Sequence, residues 1–221
     1  MEKGKLIVME GSCDGVGKST QSTLLKEHLE KDGKEIITHH FPTYNTTQAK
    51  LVEYYLSGRY GTTKELSPYF INSLYAVDRA VTWNEYLKDE YLKGKYILLD
   101  RYTTSSMIYQ SAEINNIQEK KDFINYVIDY EYNKLRLKEP DQVLFLYGPY
   151  EVFYELRHNR KENDGIKNDI HESSEQYMRK VYDSAMFIAN YLNWDMINCC
   201  KDNKIDTIEN IHNKVYSLIK K

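Results

Sequence analysis

A short apolar run, Lys5-Leu-Ile-Val-Met9, leads into Glu10-Gly-Ser-Cys-Asp-Gly-Val-Gly-Lys-Ser-Thr20, and a helical pattern begins at once over Ser19 to Lys31. No other feature constrains the fold as much. A strand made of continuous apolar residues is buried on both faces. A helix that follows it after a glycine-rich turn packs back on the sheet, so the next strand runs parallel. Asp32-Gly33 stops this helix, and Glu35-Ile-Ile-Thr-His39 reads as the second strand. Phe41-Pro42 breaks that strand, because proline gives up its ladder donor.

The alternation continues along the chain. Gln48 to Leu56 reads as a helix ended by Ser57-Gly58, and Pro68 opens a long helix that runs to about Leu92 before Gly94. Tyr96-Ile-Leu-Leu99 is the third strand, Gln118 to Leu137 a helix, and Gln142 to Leu146 the fourth strand after Pro140-Asp141. Glu151 to Arg160, Ser173 to Leu192 and Ile208 to Ile219 read as helices, with a fifth short strand at Trp194 to Asn198. The polar stretch Lys161 to Glu172, which contains Gly165, reads as a loop. The pattern predicts an α/β fold: a parallel five-stranded sheet covered by helices on both faces. The chain is expected to be a single domain over 1–221 with a short lid at about 158–172. Ligands bind such sheets at the carboxyl ends of the strands. The segments after strands one, two and three are therefore the ones to read for chemistry.

Gly15, Gly17, Lys18 and Ser19 form the tail of a phosphate-binding P-loop. Glycines let backbone N–H groups curl around phosphate oxygens, and the helix start adds its positive dipole end. Gly15, Val16, Gly17, Lys18, Ser19 and Thr20 are the expected ATP-binding residues, with Lys18 on the β/γ-phosphates and Ser19 on Mg²⁺. The strict pattern has four residues between its first glycine and Gly-Lys. Here five separate Gly11 from Gly17, which predicts a one-residue bulge near Ser12-Cys13. Asn203-Lys204-Ile205-Asp206 matches a guanine-recognition motif, but no Asp-x-x-Gly switch occurs downstream of the P-loop. It reads as a polar turn into the last helix.

Composition narrows the field. No apolar run approaches the roughly 18–20 residues that span a bilayer, and the apolar stretch near the N-terminus is too short for a signal-peptide core. Thirty basic against 33 acidic residues give a net charge of −3, which argues against a nucleic-acid coat. Cys13, Cys199 and Cys200 show no framework spacing and fit a reducing, cytoplasmic setting. The six histidines show no zinc-site spacing, and the pair His39-His40 reads as a strand end.

Four separated motifs resemble those of the thymidylate kinase family, within the P-loop nucleoside monophosphate kinases. They are Glu10-Gly11 with Asp14 through Gln21, Phe41-Pro42-Thr43-Tyr44, Leu74-Tyr-Ala-Val-Asp-Arg79, and Asp100-Arg-Tyr-Thr-Thr-Ser-Ser-Met-Ile-Tyr-Gln110. The resemblance covers nearly the whole chain. It implies transfer of the γ-phosphoryl of ATP to thymidine monophosphate (dTMP), giving dTDP and ADP on the way to dTTP, with Mg²⁺, in a homodimer packed through helices. It also implies roles. Asp14 would face the acceptor's 3′-hydroxyl, and Arg101 would fork onto the acceptor phosphate. Asp100 would hold Mg²⁺ through water. Arg79 would reach the thymine edge or the acceptor phosphate. Tyr75, one turn before it, would stack on the base. Tyr44 would touch the acceptor phosphate, Ser106 and Gln110 would line the base pocket, and Tyr109 would crowd the 2′ position. Lys18, Arg101, Asp14 and Arg160 are the expected catalytic set.

The chain also departs from the family at several positions. Thr43 and Tyr44 stand where many members carry arginine, and Asp169-Ile170-His171-Glu172 lacks the usual lid arginine. Tyr147-Gly148 replaces an Asp-Val after strand four. With no arginine in the P-loop either, Arg157, Arg160, Lys161 and Lys167 are the candidate lid cations. Three alternatives stay open at this stage. One is a deoxynucleoside kinase, although no carboxylate base follows strand two before Glu53. Another is a kinase for a different monophosphate. The third is a nucleotide-binding protein with weakened turnover.

Overall fold

The computed structural model describes residues 4–156 and 175–219. The expected lid, with Arg157, Arg160, Lys161 and Lys167, lies outside the described residues. Five strands, β1 (Leu6–Gly11), β2 (Ile36–His40), β3 (Tyr96–Asp100), β4 (Gln142–Tyr147) and β5 (Asp195–Asn198), form one parallel sheet in the order β2-β3-β1-β4-β5. The helices are α1 (Lys18–Lys31), α2 (Lys50–Leu56), α3 (Pro68–Thr82), α4 (Lys88–Leu92), α5 (Thr103–Gln110), α6 (Ile117–Ile128), α7 (150–156), α8 (Glu175–Tyr191) and α9 (Ile208–Ile219). No described helix is long and apolar enough to cross a membrane.

The apolar strands divide their side chains between two layers, as burial on both faces requires. Ile7 and Met9 of β1 join Leu144 and Leu146 of β4 under α1 and α9, in a cluster with Leu25, Leu29, Ile211 and Val215. Leu6 and Val8 point the other way, into a cluster with Trp83, Leu87, Ile97 and Leu99. Phe145 packs with Ile124, Val181 and Ile188 of α6 and α8. The register brings the strand ends level: Gly11 lies opposite Leu146, Met9 opposite Asp100, and His40 opposite Asp100. Gly11, His40 and Asp100 therefore meet at one rim.

The long helix expected from Pro68 to Leu92 is present but not uniform. Ser67 caps it by accepting from the Tyr69 N–H at 3.3 Å, and a wider, π-type turn over Trp83–Leu87 separates α3 from α4. The helix expected over Gln118 to Leu137 is also modified. It is regular to Ile128, continues as a second wide turn over Asp129–Lys134, and has left the helical path by Arg136, whose φ is 57°. Helix α5 is absent from the sequence-based element list. After β5 a small hairpin pairs β6 (Cys200–Lys201) with β7 (Lys204–Ile205). Its turn residues Asp202 and Asn203 have φ of 51° and 55°, the left-handed pair of a two-residue hairpin turn. Asp206 then accepts from Thr207 N at 2.9 Å and Asn210 Nδ2 at 2.7 Å at the start of α9. The segment Asn203 to Asp206 is thus the end of a hairpin turn, a two-residue strand and the approach to α9, where the sequence suggested only a polar turn into the helix.

Candidate active site

The P-loop begins as an extension of β1. Ser12 donates its N–H to the Leu146 carbonyl at 2.9 Å, so the ladder runs one residue past the strand. The surplus residue is folded inward here: Ser12 is buried, and Cys13 joins the core cluster of Val16, Leu146 and Cys200. A Cβ on Gly11 would lie 2.5 Å from Val16 Cγ1 and 3.4 Å from the Lys18 side chain. Only glycine lets the loop close that tightly over the strand end. Gly17, at φ 103°, makes the left-handed step into α1. The Val16 side chain is buried, so it faces the core while its backbone stays in the loop. Lys18 is also largely buried, with Nζ 3.6 Å from Asp14 Oδ1.

Two adjoining cavities open at this rim. One is lined by Asp14, Gly15, Gly17, Lys18, Ser19, Thr20, His40, Asp100 and Arg101. The other encloses about 630 Å³ out to its mouth. Asp14, Tyr44, Tyr75, Arg79, Arg101, Ser106, Tyr109 and Gln110 all line this second cavity, along with Phe41, Pro42 and Tyr102. Asp14, His40 and Arg101 belong to both.

Arg101 stands at the junction. It follows β3 with φ 67°, a strained conformation for a residue with a Cβ, which turns its side chain back over the strand ends. Its Nη2 donates to Asp14 Oδ1, and its guanidinium lies 5.2 Å from the Tyr109 ring centre. The Tyr109 hydroxyl reaches Asp14 Oδ2 at 3.4 Å. Burial works against the Arg101 charge, but Tyr109, Asp14 and Glu10 outweigh it and hold the guanidinium firmly protonated. Asp100 lies 3.4 Å from His40 Nδ1. Burial is the largest influence on its carboxyl and pushes its pKa up. The His40 bond and the Lys18 and Arg101 charges together win, so the group stays below its ordinary value.

Several supporting residues were not assigned roles from sequence. Glu10 is fully buried and accepts from Gly11 N at 3.1 Å, Thr104 Oγ1 at 2.9 Å and Ser105 Oγ at 2.5 Å, which ties β1 to the start of α5. Asp78 accepts the Thr43 N–H at 2.8 Å and so fixes the Phe-Pro loop, which also hangs from His39 through Thr43 Oγ1 at 3.0 Å. Glu131 clamps Arg79 with Nε–Oε2 and Nη2–Oε1 distances of 2.7 and 2.7 Å, both side chains being buried. Burial opposes the Arg79 charge, and Glu131 outweighs it. Ser106 Oγ accepts from Arg79 Nη2 at 2.8 Å. The motif spacing marks the residues at strand ends, but it says nothing of Glu131, which is 52 positions from its partner.

Comparison with known proteins gives a consistent result. The family model described as thymidylate kinase matches residues 9–214. A thymidylate kinase of Plasmodium falciparum (isolate 3D7) is 30% identical over 222 aligned positions, covering 100% of this chain and 91% of that protein. A thymidylate kinase of Akkermansia muciniphila is 30% identical over 171 positions, covering 76% and 73%. Among solved structures, the thymidylate kinase of Candida albicans shares the fold, with a TM-score of 0.73 at 24% identity over 99% of this chain and 92% of that one. A P-loop facing a second cavity across one arginine, on a sheet of this order, and a family match over nearly the full length agree: the chain belongs to the thymidylate kinase family.

Proposed function

We propose that this chain transfers the γ-phosphoryl group of ATP to dTMP, giving dTDP and ADP, with the residues of the two cavities in the following roles. One observation carries the assignment of roles: Arg101 and Asp14 line both the P-loop cavity and the acceptor cavity. Two phosphate chains that repel each other need cationic side chains where they meet. Lys18 serves the ATP side and Arg101 the acceptor side. The acceptor phosphate is already an anionic nucleophile, so no strong general base is needed, and catalysis is alignment plus charge stabilisation.

Mg²⁺ fits the residues present. Asp100 Oδ1 is buried and has no hydrogen-bond partner among the described residues, and Asp100 and Ser19 line the same cavity. One carboxylate, one hydroxyl and phosphate oxygens are the hard donors that Mg²⁺ takes. When bound, the ion would neutralise charge on the β- and γ-phosphates. Among the described residues no cluster of three or more His, Cys, Asp or Glu side chains suits a metal.

In the acceptor cavity Tyr75 is placed to stack on the base, and Gln110 and Ser106 to meet its edge. Tyr109 crowds the sugar's 2′ side, and Tyr44 closes the mouth. Arg79 is neutralised by Glu131, so it suits the base edge better than a phosphate. One five-stranded sheet carries the P-loop and both cavities, which supports reading 1–221 as one kinase domain with a lid near 158–172 that contributes a cation such as Arg160. Phe70 and Val77 of α3 are exposed apolar residues two turns apart and favour a second copy of the chain as partner, read by sedimentation as a two-chain mass. The three cysteines are buried and form no disulfide among the described residues, which favours a reducing compartment such as the cytoplasm.

The direct test is ADP release from Mg-ATP with a panel of nucleosides and monophosphates. Turnover with dTMP and none with thymidine is expected. Faster turnover with thymidine, or none with any acceptor, removes the reading.

A further inference from the structure

Of the three side chains assigned to the base edge, Arg79, Ser106 and Gln110, Arg79 alone has a hydrogen-bonding sense that cannot change. A guanidinium carries five N–H donors and no acceptor, whereas a glutamine amide carries both. Gln110 lines the cavity, and its Oε1 is buried without a partner among the described residues. Its amide can turn to suit a base edge of either polarity, so it does not choose between bases. The choice falls to Arg79, and it holds only if the guanidinium stays in place.

The structure shows what keeps it there. Nε and Nη2 grip the two oxygens of Glu131 at 2.7 and 2.7 Å. The rest of Nη2 goes to Ser106 Oγ at 2.8 Å and Asn72 Oδ1 at 3.3 Å. Among the described residues Nη1 meets only the Tyr102 carbonyl, at 3.4 Å. The plane of the group is therefore fixed, and Nη1 is the nitrogen with spare donor capacity in a side chain that lines the cavity. Glu131 is fully buried and sits in the wide turn Asp129–Lys134. A buried carboxylate and its single cationic partner form a pair that is costly to break.

We propose that Glu131 is a positioning residue that makes this site select a base with a carbonyl, rather than an amine, at the ring position facing Arg79. The proposal rests on the monophosphate kinase reading above. Thymine and uracil present a carbonyl acceptor beside an N–H donor, which Arg79 and Gln110 satisfy together. Cytosine presents an amine beside a bare ring nitrogen. Gln110 turns to meet that nitrogen, but the amine faces a second donor and both are left unsatisfied. A guanidinium free to swing aside would relieve the conflict, and Glu131 prevents the swing.

The test compares the unmodified protein with Glu131→Gln and Glu131→Asp. Steady-state constants are measured with dTMP, dUMP and dCMP, and thermal unfolding with each variant. The ratio of kcat/KM for dTMP to that for dCMP does not depend on how much enzyme is folded, so a loss of stability alone leaves it unchanged. In Glu131→Gln the ratio should fall by about tenfold, the factor one unsatisfied buried donor is worth. The fall should appear mainly as a higher KM for dTMP, with dUMP following dTMP. Glu131→Asp keeps the charge and should recover part of the ratio. Equal losses for dTMP and dCMP in Glu131→Gln overturn the proposal. If that variant does not fold, an unchanged ratio in folded Glu131→Asp overturns it. Failure of the unmodified protein to use any pyrimidine monophosphate overturns the kinase reading, and this proposal with it.

Discussion

Arg101 holds a left-handed backbone conformation, at φ 67°, that costs a non-glycine residue on the order of 1–2 kcal/mol. Asp14 and the Tyr109 ring keep its side chain over the strand ends. That placement puts a fixed positive charge between the two cavities, and Lys18 provides another from below. Lys18→Ala and Arg101→Ala should each lower kcat by about a hundredfold or more, the usual loss for one preorganised charge contact. Circular dichroism should report an unchanged fold. A folded Arg101→Ala protein with normal turnover would remove Arg101 from the mechanism. The motif residues were legible in the sequence because each sits just past a strand end, where an open parallel sheet binds its ligands. Glu131 was not legible. A lone glutamate on a helix reads as a solvated charge until a partner far along the chain is known to face it.

At the scale of elements, α5 shows why part of the fold could not be read. Thr103, Thr104, Ser105 and Ser106 open it, and hydroxyl and β-branched residues are poor helix formers without outside support. Glu10 supplies that support by accepting from Thr104 and Ser105. The five strands, by contrast, were visible as continuous apolar runs, because burial on both faces leaves no polar alternation. Glu10→Ala removes the acceptor of three donors at once. It should cost about 3 kcal/mol or more of stability in urea unfolding, since a buried donor left unpaired costs about 1–3 kcal/mol and three donors lose their acceptor. A loss within experimental error would show that α5 holds without this anchor.

For the molecule as a whole, two histidines make stability depend on pH. Burial lowers the pKa of His39, and burial together with the His28 charge lowers that of His212. His212 Nε2 meets His28 Nδ1 at 2.6 Å between α1 and α9, and its own Nδ1 is buried without a partner among the described residues. Both groups are held neutral in the folded chain and take up protons more readily once it unfolds. Below the ordinary histidine value near 6.5 the unfolded state binds more protons, so stability falls with pH and is fully present only above that value. Unfolding midpoints measured from pH 7.5 down to 5.5 should decline, and His212→Gln should flatten part of the slope. An identical slope in the variant would assign the effect elsewhere.

The wide turn at Asp129–Lys134 has a consequence for how the chain tolerates length changes. Such a turn carries one residue more than a regular coil of the same rise. Excising a single position there would let α6 rewind into an ordinary spiral at little expense to the scaffold. Residues beyond the turn would keep their places, while Glu131, moved one position within it, would rotate by about 100° off its target. Frame and pocket thus answer differently to the same edit, and a shortened chain can stand while its reading of the base is lost.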